Sequence, residues 1–410
     1  MDIDKYVYTI GGHSHTYSSV LGLKDAPDTL QDLVHMNNEL HAQLVVQKNA
    51  ITQYHKNKKW DKFKKLTNEY ELIFTSTQGC PSISKHVPIS RSFFKLWEIL
   101  KDFEVEMNLP SCPVNAVFLA DAPGGFCEAF VRYRAKMRSY KRLDDTKKDR
   151  SWTMSLKATH KIIPDWKLTP NFCKENNLTI SWGSDGQGDL YKVDNIDDIV
   201  SSVGEHSSAL VTADGGFDFS SDFNHQENMS FRLILSEIYT ALRLQKVGGS
   251  FVLKIFDIHC MNTVKILFIL KLFYSQLHFV KPLSSRPANS EKYVICTGFM
   301  KNHESSLVLS FILEELRQQV ETKCQHFTED FTFLKVPYSF MYDIVEYNRI
   351  YIAFQVSHIG DTLEMINNKR ENKIQIATRV QLEKAIRWCH KYGIETDTRS
   401  ILAYKQVYNY

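Results

Sequence analysis

The segment VFLADAPGGFCEAF carries an apolar run into Asp121, Ala122, Pro123, Gly124 and Gly125, with a helix expected from Phe126. Glycines at such a turn let the backbone approach a ligand, and the first helical N–H groups can hold a carboxylate or phosphate. The spacing is neither GxGxxG nor GxxxxGK, so it matches neither a dinucleotide nor a nucleoside triphosphate site. A second chemical feature is Lys254, set inside the apolar run SFVLKIF. A buried ammonium without a partner is costly, so an acid is expected against it. The eight cysteines, Cys80, Cys112, Cys127, Cys173, Cys260, Cys296, Cys324 and Cys389, include no CxxC pair, and no paired histidine spacing suits zinc, so no metal is expected.

The elements around these residues read as alternating strands and helices. VNAVFLA, SALVTA, SFVLKIF and YVICTGF are short runs rich in β-branched and aromatic residues, as expected for strands covered on both faces of a mainly parallel sheet. Between them Phe231, Ile234, Leu235, Ile238, Tyr239 and Leu242 have helical spacing, with Gly248-Gly249 as the expected helix end. The alternation predicts a doubly wound α/β domain, whose ligands sit beyond the carboxyl ends of its strands. Three zones follow: 1–79, a helical and basic extension; 80–302, the α/β domain; and 303–410, a mostly helical extension with Leu309, Ile312, Leu313 and Leu316 at core-facing spacing.

The chain has 410 residues, 43% of them hydrophobic, enough for a large core. A net charge of +3 is too mild to argue for nucleic acid, so such a case must rest on local clusters. Two exist. Lys56, Lys58, Lys59, Lys62, Lys64 and Lys65 interleave with Trp60 and Phe63, while Arg132, Arg134, Lys136, Arg138, Lys141 and Arg142 follow the glycine loop. Each reads either as a phosphate-tracking surface or as a solvated helix face. The first residues lack the basic-then-apolar layout of a signal peptide, and the apolar stretch Val264 to Tyr274 is broken by Lys265 and Lys271. Membrane insertion is therefore not expected, and reduced thiols in a cytosol-like compartment are.

APGGF after a strand resembles the S-adenosylmethionine loop of FtsJ-like RNA ribose 2'-O-methyltransferases, a family that includes cap-modifying enzymes. SRSFFKLWEIL, LVTADGGFDFSSDFNHQE, GGSFVLKIF and SSRPANSEKYVICTGF follow in the family's order, over about residues 80 to 300. ADGGFDFSSDFNHQE and SLKATHKIIPDWK look most like the versions of large cytoplasmic DNA viruses. The resemblance implies a Rossmann-like fold, S-adenosylmethionine as methyl donor, RNA (capped mRNA first) as partner, and the host cytoplasm or virion as location. It matches Lys95, Asp214, Lys254 and Glu291 to the family's catalytic set. Asp121, Ala122, Pro123, Gly124, Gly125 and Phe126 match the cofactor loop, Asp214 also lies near the methyl donor, and Gly188 with Asp189 matches the adenosine-binding pair. Asp185 is a weaker candidate for the adenosine. One departure is Phe118, where many members have an acid, for which Asp121 can compensate.

Methyl transfer to a ribose hydroxyl needs in-line placement and help with a weakly acidic proton, which suits a lysine whose pKa is tuned downward, with carboxylates fixing its position. Lys254 is expected as base or orienting group, Asp214 as its tuner, and Lys95 with Glu291 as holders of the ribose and of Lys254. Ser90, Arg91 and Arg286 are candidates for RNA phosphates. Alternatives are a 2'-O-methyltransferase of ribosomal or transfer RNA, a non-catalytic or partner-dependent RNA-binding protein of this fold, and a methyltransferase for proteins or small molecules.

Overall fold

A computed structural model describes residues 6–11, 28–55, 58–76, 80–141, 148–160, 162–217, 219, 223–322, 331, 333–368 and 371–407. Lys56, Arg142 and Cys324 lie outside the described residues. Among the described residues the strands β1 (Tyr6–Thr9), β2 (Asn115–Leu119), β3 (Arg150–Met154), β4 (Leu178–Ser181), β5 (Ser208–Ala213), β6 (Gln245–Ile255), β7 (Tyr274–Lys281) and β8 (Lys292–Phe299) form one sheet. Its order is β1-β7-β8-β6-β5-β2-β3-β4. β4, β3, β2, β5 and β6 run parallel, while β8, β7 and β1 are antiparallel to their neighbours. The sheet is mainly parallel and mixed, with helices on both faces.

Side chains alternate between two cores, as the pleat requires. Val117, Leu119, Val211, Ala213, Phe251 and Leu253 pack on one face with α7 (Val193–Val203), α8 (Gln226–Leu244) and α9 (Met261–Phe273). Ala116, Phe118, Leu210 and Val252 pack on the other with α3 (Ser92–Asp102) and α5 (Gly125–Lys141). Phe118, fully buried, lies against Phe130 with ring centroids 5.5 Å apart, so the position where many members of the resembled family have an acid is a core position here.

The helix expected to stop at Gly248-Gly249 ends earlier. α8 closes at Leu244, and β6 begins at once with Gln245. The reason is Gln245 itself: its buried amide donates to the Ser208 carbonyl at 2.9 Å and accepts from Tyr274 Oη at 3.0 Å, which holds the strand before the glycines are reached. The register of β5 on β6 shifts between Ser208 and Leu210 to absorb the glycine pair.

The first zone is not purely helical, since it adds β1 to the sheet edge beside β7; otherwise the flanking zones are helical and dock on the sheet domain. α1 (Asp28–His55) and α2 (Lys59–Leu66) pack with α11 (Tyr338–Asn367) around a third apolar cluster of Leu44, Ile51, Trp60, Ala288, Ile352 and Ile359. α10 (His303–Glu321) lies against α8. α12 (Glu371–Tyr392) covers α3, where Trp388 Nε1 donates to Glu98 at 3.0 Å. Trp60 and Phe63 are buried, so the lysines around them do not stand beside exposed aromatic rings.

Candidate active site

Lys254 sits next to last in β6, and Asp214 directly follows β5, so the two parallel strands set them side by side. Lys254 Nζ donates to the Asp214 carbonyl at 2.6 Å and lies 3.2 Å from Asp214 Oδ1, which also accepts from Tyr293 Oη at 2.9 Å. Lys95 projects from α3 onto Glu291, with Nζ 2.7 and 2.9 Å from the two carboxylate oxygens. Ser285 Oγ adds a third bond to Glu291 at 2.9 Å. All four expected catalytic residues therefore converge, as two ion pairs with each lysine on its own acid.

Their protonation follows from burial and charge. Burial works to raise the Glu291 carboxyl, but Lys95, Lys254 and Lys281 outweigh it and hold it well below the usual carboxylate range. Burial lowers the Lys95 ammonium, against the pull of Glu291 and Asp214. For Lys254 burial also works downward, yet Asp214 and Glu291 outweigh it and leave the group above the ordinary lysine value. The downward tuning expected of Lys254 is thus found at Lys95, and Lys254 rests as a firmly charged ammonium. Beneath this floor Glu237 is buried, and burial pushes its carboxyl well up.

The acids open on a cavity of about 930 Å³ at the carboxyl ends of β2, β5 and β6. Ala120, Ala122, Pro123, Ser155, Gly188 and Asp189 line one end, and Asp214, Lys254 and Glu291 line it as well. Ala120 holds φ 52, a left-handed conformation rare for a residue with a Cβ and typical of backbone shaped around a site. Gly188, with φ +65, has no room for a side chain, since a Cβ would meet the Ser155 carbonyl oxygen at 2.1 Å. Asp189 accepts from the Tyr191 N–H at 2.9 Å and lines the cavity, whereas Asp185 is tied to Lys192 at 2.5 Å and does not.

Several expected contacts are redistributed. Asp121 is buried, and its two oxygens accept from the N–H groups of Phe126 and Cys127 at 2.9 and 2.8 Å. It therefore holds the start of α5 and does not line the cavity; burial pushes its carboxyl up to about 7 against those two donors. Gly124, Gly125 and Phe126 are likewise behind the wall. At Gly125 a Cβ would strike Ser92 Oγ at 2.1 Å and Ser90 Oγ at 2.2 Å, so the glycine lets the two helix starts meet. Ser90 and Arg91 do reach the cavity, with the Arg91 guanidinium 4.4 Å over the Phe74 ring. Arg286 does not, because Glu71 takes its Nε and Nη2 at 2.9 and 2.6 Å. The basic run on α5 is also committed: Arg134 and Arg138 pair with Asp149, Arg132 with Glu128, and Lys136 donates to the Gly393 carbonyl. Sequence reading missed Ser155, Leu190 and Phe217 in the lining, whose types carry no chemical signal on their own, while Trp60 and Lys64 of the basic cluster do line it.

A five-stranded parallel half, three antiparallel strands and a cavity at the strand ends define a Rossmann-like domain whose cavity lies where such folds bind ligands. The family model of the FtsJ-like methyltransferases matches residues 88–299, just over half of the chain. The chain belongs to the FtsJ-like methyltransferase family. It is 31% identical over 242 residues to Cap-specific mRNA (nucleoside-2'-O-)-methyltransferase 1 of Trypanosoma cruzi (strain CL Brener), covering 56% of this chain and 61% of that one. Against the protein of the same name in Dictyostelium discoideum it is 30% identical over 290 residues, covering 67% of this chain and 36% of the relative. Cap-specific mRNA (nucleoside-2'-O-)-methyltransferase 2 of Drosophila melanogaster is 28% identical over 280 residues, covering 67% and 39%. The matched stretch thus spans less than two thirds of the length of these relatives.

Proposed function

We propose that the chain is an S-adenosylmethionine-dependent RNA ribose 2'-O-methyltransferase acting on a nucleotide next to an mRNA 5' cap. The observation that carries this reading is the pair of interlocked ion pairs, Lys95–Glu291 and Lys254–Asp214, meeting at the cavity. The catalytic unit is residues 80–302, with 1–79 and 303–410 as its supports. Relatives named for cap-specific mRNA methylation favour capped RNA over ribosomal or transfer RNA.

The residues fit the cofactor. The Asp189 carboxylate, the Gly188 and Ser155 rim and the Ala120-Ala122-Pro123 wall of the cavity suit an adenosine with its ribose and methionine arm. When bound, S-adenosylmethionine supplies an electrophilic methyl group. The protein's part is then placement and proton handling. Lys254, with two of its three N–H donors given to Asp214, has one left to orient the ribose 2'-oxygen. Since it rests charged, it orients the hydroxyl first and accepts a proton only after losing its own. Glu291 holds the ribose, Lys95 holds Glu291 and balances its charge from behind the cavity wall, and Ser90 and Arg91 stand where an RNA phosphate can be met. Seven free thiols among the described residues agree with a reducing, cytosol-like compartment. No helix among the described residues is long and apolar enough to cross a membrane.

The test is incubation with labelled S-adenosylmethionine and matched capped or uncapped RNA, followed by nuclease mapping of the methyl group. Label on the ribose of a cap-adjacent nucleotide is expected. Label independent of the cap would move the substrate to internal RNA sites, and no transfer together with no cofactor binding would overturn the reading.

A further inference from the structure

The loop that carries Glu291 is held from outside the family's matched region. Gln355 of α11 donates to the Ala288 carbonyl and to Ser290 Oγ, both at 3.1 Å, and Glu71 clamps Arg286. Trp60 of α2, only 2% exposed, shares an apolar cluster with Ala288 and lines the same cavity as Glu291. Asn289, between Ala288 and Ser290, lines it too. Among the described residues neither the Trp60 indole N–H nor the Asn289 side-chain amide has a hydrogen-bond partner. Asn289 is only half-buried and both residues line the cavity, so their polar groups are uncommitted within the protein and available to a ligand held there.

We propose that the flanking extensions build a nucleobase subsite beside the catalytic lysines, with Trp60 as its wall and the Asn289 amide reading the polar edge of the base on the accepting nucleotide. The inference rests on the proposed RNA activity. A base suits the place because it has apolar faces for the wall of Ile51, Trp60 and Phe256 and an edge of alternating donors and acceptors for an amide. Its ribose then falls toward Lys254 and Glu291, two residues along the chain from Asn289. Asn289 and Trp60 act on the choice and placement of the substrate, and neither touches the reacting atoms.

The experiment uses the whole chain and four capped RNAs that differ only in the nucleotide next to the cap. Methyl transfer is measured for wild type, Asn289→Ala and Trp60→Phe, and S-adenosylmethionine affinity is measured by calorimetry. Asn289→Ala is expected to lower kcat/KM on the best RNA by about tenfold or more, mainly through KM, and to compress the spread among the four RNAs. Trp60→Phe keeps the apolar wall, loses the N–H and moves in the same direction by less. Cofactor affinity stays within about twofold of wild type, because these groups lie on the acceptor side. A wild type that treats the four RNAs alike, or variants that lose activity equally on all four, would overturn the subsite. No transfer to any RNA by wild type would instead bring down the reading beneath it.

Discussion

Around Asp149, Arg134 donates from Nε and Nη2 to the two carboxylate oxygens at 2.9 and 2.8 Å, Arg138 adds a bond at 2.7 Å, and the Val114 N–H adds one at 2.9 Å. The remaining Arg134 donors meet the carbonyls of Pro110 and Cys112. Around Asp214 and Glu291 the charges are mostly buried too, yet the cluster is open: Lys254, Asp214 and Glu291 line the large cavity, and the ammonium of Lys254 keeps a donor for a ligand. The closed cluster uses its charges to fasten α5 to β3. The open one stores them against a substrate. Both clusters pair largely buried cations with carboxylates, so what separates structure from function is whether every donor and acceptor is already spent.

Removing the central cation from each cluster should show the difference. Lys254→Ala is expected to cut methyl transfer by about a hundredfold to ten-thousandfold, the span typical of a positioned proton-handling group, with a smaller loss of melting temperature, because Asp214 keeps the Tyr293 hydroxyl and opens on the cavity where water can reach it. Arg134→Ala should do the reverse. It strands Asp149 in the interior, which costs about 3–5 kcal/mol. Thermal unfolding would register that loss, while activity per folded molecule stays near wild type. A Lys254→Ala protein that melts far below wild type, or an Arg134→Ala protein that is stable but inactive, would erase the distinction.

How much of this was legible depends on where each partner lies. The apolar runs of β2, β5, β6 and β8 announce themselves because they are covered on both faces. RSWTM and LTIS do not, since β3 and β4 are short, polar-interrupted and stabilised by neighbours far along the chain. Lys254 is legible from its apolar setting alone, whereas Lys95 and Glu291 gain meaning only from motif order. Asp121 and Arg286 were misplaced because their partners are invisible locally: two backbone N–H groups in one case, and Glu71, 215 positions away, in the other. Trp60 reads as a stacking platform beside lysines until α11, folded back from the far end of the chain, buries it.

The open cluster also predicts a pH response that the closed one lacks. A lysine that accepts a proton acts in its neutral form, so the rate should rise with pH through the lysine's own pKa. Glu291 raises both Lys254 and Lys95 by its charge. Glu291→Gln removes that charge, lowers both lysines, and should move the rising limb of single-turnover methyl transfer toward lower pH, while the plateau falls as the ribose loses a holder. Rates measured over roughly pH 6 to 10 would check it. A limb that moves upward, or stays fixed, would mean that neither lysine's ionisation governs the step.

The smallest expected effect concerns the exposed end of the basic run on α5. Lys136 donates to the Gly393 carbonyl at 2.7 Å and Lys141 to Ser111 Oγ at 3.2 Å, so both have intramolecular partners although both are exposed. Neither lines the cavity. If the run were a phosphate track, each lysine removed would lower the slope of log affinity against log salt by about one. The expectation for the Lys136→Ala, Lys141→Ala double variant is an RNA-binding slope unchanged from wild type and unchanged activity, because surface charges away from the site contribute little. A slope lower by about two would turn this helix from a fastening of the closed cluster into a second RNA-binding face, and the two clusters would then share one ligand.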